Sequence, residues 1–170
     1  MDLKIKGDQG QKDKQFVNGF LTLDLSPRLG WDKTKVETDS LDSKLGVLEV
    51  TFVVVHLAVE ATIAIEVLEG EFDGKITACT TTIKNCLVLH DSKEASVITC
   101  DGKRLVQMLR SVVAVSVKEK LEVTAVAHTG VGEVESSITF TPRASGVDED
   151  EITHGSVKML VKVCWSIIAD

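Results

Sequence analysis

Apolar residues fall on every second position in one segment of this chain after another. Toward the end, Val157, Met159, Val161, Val163, Trp165 and Ile167 alternate with Lys158, Leu160, Lys162, Cys164 and Ser166. Successive side chains on a strand point to opposite faces, so this spacing writes one dry face and one wetter face. A helix needs apolar residues three and four apart, and that pattern is hard to find here. The same alternation predicts strands at 1–6, 16–25, 59–67, 121–127 and 134–140. Thr-rich or valine-rich runs predict others at 75–83, 87–90, 95–100 and 111–117.

The segment 45–57 turns apolar on both sides toward Val53 and Val55, which predicts a central strand covered on two faces. Asp73-Gly74 and Asp101-Gly102 predict hairpin turns, because Asp and Gly tolerate positive φ. Leu105, Met108 and Leu109 fit one helical turn as well as a strand. Two polar stretches, 26–44 and 142–155, read as the long loops. The first holds Pro27, Gly30 and eight charged residues. About nine or ten strands with turn signals every 8–14 residues predict an all-β antiparallel β-sandwich, with a distorted β-barrel as the alternative. At 170 residues and 44% hydrophobic, the chain fits a single domain, 1–170, with a sizeable core.

The formal charge of -7 sets an acidic domain against phosphate backbones and anionic membrane surfaces, so neither nucleic acid nor membrane is expected as a partner. The longest apolar run, 52–59, is broken by His56 and is far shorter than a spanning helix. Met1 to Lys6 carries no apolar leader. Cys79, Cys86, Cys100 and Cys164 form no CxxC pair, so zinc has little support and the thiols are expected reduced and packed in strands. Together these features predict a cytoplasmic protein.

Little in the chain points to chemistry. His90-Asp91-Ser92 holds three triad residue types, but adjacent side chains do not line up as a relay, so a strand end followed by a polar turn is the expectation. His56, His90 and His128 each end a strand pattern and would form a metal site only if those ends met. The run Asp148-Glu149-Asp150-Glu151 lacks EF-hand spacing and is expected to be a solvated turn. Trp31, within Arg28-Leu29-Gly30-Trp31-Asp32, is the one candidate binding residue, as a stacking platform for a sugar or partner. There is no phosphate-cradling glycine loop, GxSxG or HExxH. No catalytic residue, metal or cofactor is expected.

Several patterned strands resemble a known family. They are Ser43-Lys44-Leu45 through Val59-Glu60-Ala61-Thr62-Ile63, Asp73-Gly74-Lys75-Ile76-Thr77-Ala78, Arg110-Ser111-Val112-Val113-Ala114-Val115, Lys120-Leu121-Glu122-Val123, and Lys162-Val163-Cys164-Trp165-Ser166. Together they resemble the grass-centred plant family called domain of unknown function 6598. The resemblance implies an additional N-terminal portion before Met1, hence missing strands, an open sheet edge and self-association. It also implies relatives that sit behind a ribosome-inactivating domain. That activity stacks adenine between tyrosines and uses a Glu with a nearby Arg. This chain has no tyrosine, and Thr62-Ile63 follow Glu60-Ala61 where an Arg would be needed. The leading expectation is therefore a non-catalytic interaction or accessory module of plant stress or defence, with an unknown protein partner. The alternatives are a domain acting with a missing rRNA N-glycosidase part, and a carbohydrate-binding sandwich using Trp31.

Overall fold

Valine, isoleucine and threonine recur through the alternating segments, and β-branched side chains fit a pleated, half-buried surface. A computed structural model of the chain describes residues 2–7, 12–20, 36–129 and 132–167. Among them are fourteen strands and no helix. The chain divides into two compact units, Met1–Val54 and Val55–Asp170.

The first unit holds two antiparallel ribbons. One pairs β1 (Asp2–Ile5) with β2 (Lys14–Asn18), with a register shift between Leu3 and Lys4. The other pairs β3 (Val36–Ser43) with β4 (Gly46–Val53) in continuous register. Here the structure corrects two expectations. β3 lies inside the predicted 26–44 loop. Polar residues occupy both of its faces, so no period-two apolar signal marks it, while the Thr38 and Thr51 hydroxyls meet across the ribbon at 2.9 Å. Among the described residues β4 is not a central strand covered on two faces: its neighbour is β3 alone, and Val47 is 58% exposed. Val17 is the only fully buried hydrophobic residue described in this unit.

The second unit contains two sheets. One runs in the order β12 (Gly132–Phe140), β11 (Leu121–Thr129), β6 (Gly74–Thr80), β7 (Leu87–Asp91). The other follows β13 (Gly146–His154), β14 (Val157–Ile167), β5 (Ala58–Glu69), β9 (Lys103–Val106), β8 (Val97–Cys100), with β10 (Val112–Ser116) also paired to β5. All described pairings are antiparallel, and neither sheet closes into a barrel. The dry faces meet in a sandwich. Val59, Ala61, Ile63, Ile65 and Val67 of β5 and Met159, Val161, Val163 and Trp165 of β14 share one core with Ile76, Leu89, Leu121 and Val123 of the other sheet. Ile167 continues the alternation but is 65% exposed, beyond the reach of that core.

Three more sequence expectations change here. The predicted 142–155 loop contains β13, and Asp148 to Glu151 form part of that strand instead of a solvated turn. Cross-strand partners explain this: Glu149 meets Lys162 at 2.6 Å, Glu151 meets Lys158 at 2.8 Å, and the Trp165 indole N–H donates to Asp148 at 2.8 Å. The ambiguous 105–109 segment begins in β9, extended, with Leu105 opposite Ile98. Asp73-Gly74 is no hairpin turn, because β5 and β6 belong to different sheets. Gly74 is required by close approach instead: a Cβ there would overlap the Val126 carbonyl oxygen of β11. Asp101-Gly102 does turn a hairpin, with φ of 50° and 77°, the positive pair of a type I′ turn.

The cysteines divide. Cys79, near the end of β6, and Cys86, just before β7, are joined by a disulfide with Cα atoms 4.5 Å apart. This corrects the expectation of four reduced thiols. The link from β6 to β7 folds back on itself and brings the two residues within bridging range. Cys100 and Cys164 are free and exposed.

Candidate functional site

β8 and β9 form the hairpin closed by Asp101-Gly102, which places Thr99 directly opposite Arg104 and Val97 opposite Val106. The link between β5 and β6 passes alongside, carrying Glu71 and Phe72. The link between β7 and β8 supplies Ser92, Ala95 and Ser96. These residues surround an open cup of about 360 Å³. Phe72 and Val97 give it apolar wall, while hydroxyl residues and one residue of each charge, Glu71 and Arg104, unpaired among the described residues, supply its polar lining.

Two of the polar lining residues, Arg104 and Ser92, are held by main-chain bonds. The Arg104 Nη1 donates to the Gly70 carbonyl at 2.6 Å. Gly70 adopts φ 73°, and any Cβ there would crowd the Ser156 carbonyl at 2.5 Å, so this anchor cannot be moved cheaply. Ser92 Oγ accepts the Gly74 N–H at 2.9 Å and lies 3.2 Å from His90 Nε2. His90 Nδ1 lies 2.8 Å from the Gln107 carbonyl, which can only accept. That places a proton on Nδ1, and Nε2 faces the Ser92 hydroxyl. The imidazole is fully buried, with Phe72 tilted against it at 5.9 Å between ring centroids. Leu109 N–H donates to the Leu89 carbonyl at 2.7 Å beside it. The histidine thus clasps β7 of one sheet to the strand-exit segment of the other.

The linear arrangement Ser92, His90, carbonyl resembles a nucleophile relay, and one missing element decides its chemistry. A relay needs a carboxylate to stabilise the imidazolium formed when the serine proton moves. Asp91 does not supply it. Its carboxylate accepts the Lys93 N–H at 3.0 Å and lies 3.9 Å from Lys75, and its carbonyl accepts from Glu94 and Ala95. His90-Asp91-Ser92 is therefore a strand end and polar turn, as expected. The His90–Ser92 hydrogen bond is the addition, because residues two apart share a strand face.

A family model matches residues 1–163. The chain belongs to the family described as Domain of unknown function (DUF6598). No curated protein matches it.

Within this DUF6598 fold, the three singled-out histidines part company. His90 is in the core, His56 lies before β5, and His128 sits 3.3 Å from Glu133 across the β11–β12 hairpin. Among the described residues no group of three His, Cys, Asp or Glu side chains could hold a metal ion. No helix among them is long and apolar enough to cross a membrane. Trp31 lies outside the described residues. His154, which the sequence did not single out, is buried with Nδ1 3.3 Å from the Ser136 hydroxyl, joining the β13 and β12 edges. Glu71 and Arg104 were also missed. The Asp-Gly turn foretold Arg104's hairpin but not what would face it. On the outer face of the DUF6598 sandwich, the Lys158 and Lys162 ammoniums are held above the ordinary lysine value. In each case the hydrogen bond that the ammonium donates to Glu151 or Glu149 is the largest cause and that carboxylate's charge the next.

Proposed function

We propose that this chain is a non-catalytic interaction module, accessory to a protein partner, in a plant stress or defence system. One observation carries the reading: the unequal cores of the two units. Val17 is the lone fully buried hydrophobic described between 1 and 54, against twenty-three in the second unit. Two-stranded ribbons are marginal in water unless a further layer covers them. Leu3, Ile5, Phe20, Leu45 and Val47 of the first unit are exposed. A unit built this way gains most of its order when an apolar surface is laid on it. The locked His90 clasp, with no carboxylate behind it, supports recognition over turnover.

Hydrogen exchange of the dilute full chain, alone and with protein captured from plant extract on immobilised chain, tests the proposal. The amides of β3 and β4 should exchange much faster than those of β5 in the free chain. Captured protein should slow them, and Val47→Asp should abolish the slowing. Protection of β3 and β4 equal to that of β5 in a monomer without partner overturns the proposal.

A further inference from the structure

The cup beside the β8–β9 hairpin is a second, separate feature, and its chemistry selects a ligand class. It brings together one carboxylate, one guanidinium and three hydroxyls over an apolar wall: Glu71, Arg104, Ser92, Ser96, Thr99 and Phe72. Opposite single charges make the lining neutral. An anion such as phosphate would meet Glu71, and a cation would meet Arg104. Arg104 commits Nη1 to the Gly70 carbonyl, and no carboxylate pairs with the guanidinium among the described residues. The remaining N–H groups form a donor fork held in a set orientation. Glu71 is exposed and accepts only. A neutral ligand with vicinal hydroxyls satisfies both at once, donating to the carboxylate and accepting from the guanidinium. Ser96 and Thr99 hydroxyls bond no protein group among the described residues and would complete the contacts. Its ring C–H groups would lie on Phe72 and Val97.

We propose that this cup is a saccharide-binding site for one or two sugar rings. At about 360 Å³ it falls at the small end of the ~300–1,000 Å³ range typical of small-ligand pockets. Two of its five polar side chains are set before binding: Ser92 is held by Gly74 and His90, and Arg104 by Gly70, so the ordering that opposes association falls on Glu71, Ser96 and Thr99.

The test is an amide-resolved NMR titration of the full chain with D-glucose, D-galactose, D-mannose and cellobiose, with inorganic phosphate and glycine as the charged probes. At least one sugar should saturably shift the Ser92, Ser96 and Thr99 amides. Glu71→Gln should weaken that sugar about tenfold, the scale of one charge-assisted hydrogen bond. Thr99→Val should weaken it less, and both exposed sites should leave the remaining spectrum intact. The proposal is overturned if none of the four sugars shifts these amides. It is equally overturned if the shifts survive both substitutions unweakened, or if phosphate or glycine moves the same amides more strongly than any sugar.

Discussion

The Cys79–Cys86 bond offers the sharpest quantitative check on this fold. The perturbation is Cys79→Ser with Cys86→Ser, which removes the crosslink while keeping small polar side chains. The bond joins residues seven apart. Loop-closure entropy for so short a ring amounts to about 8 cal/mol/K, or about 2.4 kcal/mol at 25 °C. The structure gives a reason for that stabilisation to be felt. β7 pairs with β6 at only four positions, across a register shift between Ile76 and Thr77. Yet β7 carries Leu89 and His90, both fully buried. Spread over the roughly 116 residues of the second unit, 2.4 kcal/mol corresponds to about 10 °C in Tm. Urea unfolding of wild type and double variant, each with and without reductant, reads the effect. Wild type should fall to the variant's midpoint only when reduced. Thiol titration of denatured, unreduced protein should find two free cysteines, Cys100 and Cys164. Four free thiols, or midpoints that coincide without reductant, would refute the reasoning.

Three other outcomes follow from single contacts. Asp148→Ala leaves the Trp165 indole N–H and Arg143 without their acceptor, and should cost about 1–3 kcal/mol in urea unfolding, with Asp148→Asn costing less; equal loss in both would deny the indole bond. Ile63→Ala, in the middle of β5, should cost about 2–5 kcal/mol by the same assay, whereas exposed Ile98→Ala should cost far less. The raised Lys158 and Lys162 groups bind their protons more tightly folded than unfolded, so their contribution is complete below about pH 10.5 and disappears as pH climbs through the raised values. Stability should therefore fall above that pH, and Lys158→Met with Lys162→Met should flatten the fall; identical alkaline profiles would remove the Glu151 and Glu149 pairs as its cause.

The sandwich was legible wherever one face of a strand is buried and the other wet. β14 and β5 alternate because their odd-numbered residues enter the core, and burial by period two writes itself into composition. Legibility failed in both directions where that asymmetry is missing. No residue of β3 is fully buried, and apart from Val36 and Leu41 its residues are polar, so it resembles a loop. β4 is apolar on both faces near its end yet stands in a two-stranded ribbon among the described residues. β13 hid for a further reason. Its carboxylates are matched by Lys158, Lys162 and the Trp165 indole on β14, which lie beyond the 142–155 stretch that reads as a loop.

The candidate site was harder to read for the same reason, carried further. Thr99 and Arg104 are five apart and meet only because the Asp101-Gly102 turn puts them opposite. Glu71 follows a strand more than thirty residues earlier. Arg104's orientation depends on the Gly70 carbonyl, a group every residue possesses and composition therefore never reveals. The clasp shows this most plainly. His90, Asp91 and Ser92 advertise a catalytic triad by residue type, but strand alternation sends Asp91 to the opposite face and leaves a main-chain carbonyl in its place. Swapping a carboxylate for a carbonyl keeps the hydrogen-bond geometry and removes the negative charge that would stabilise an imidazolium. The same three letters thus encode a buried clasp that holds one wall residue of the cup, Ser92, because the period of the strand outranks the identity of the neighbours.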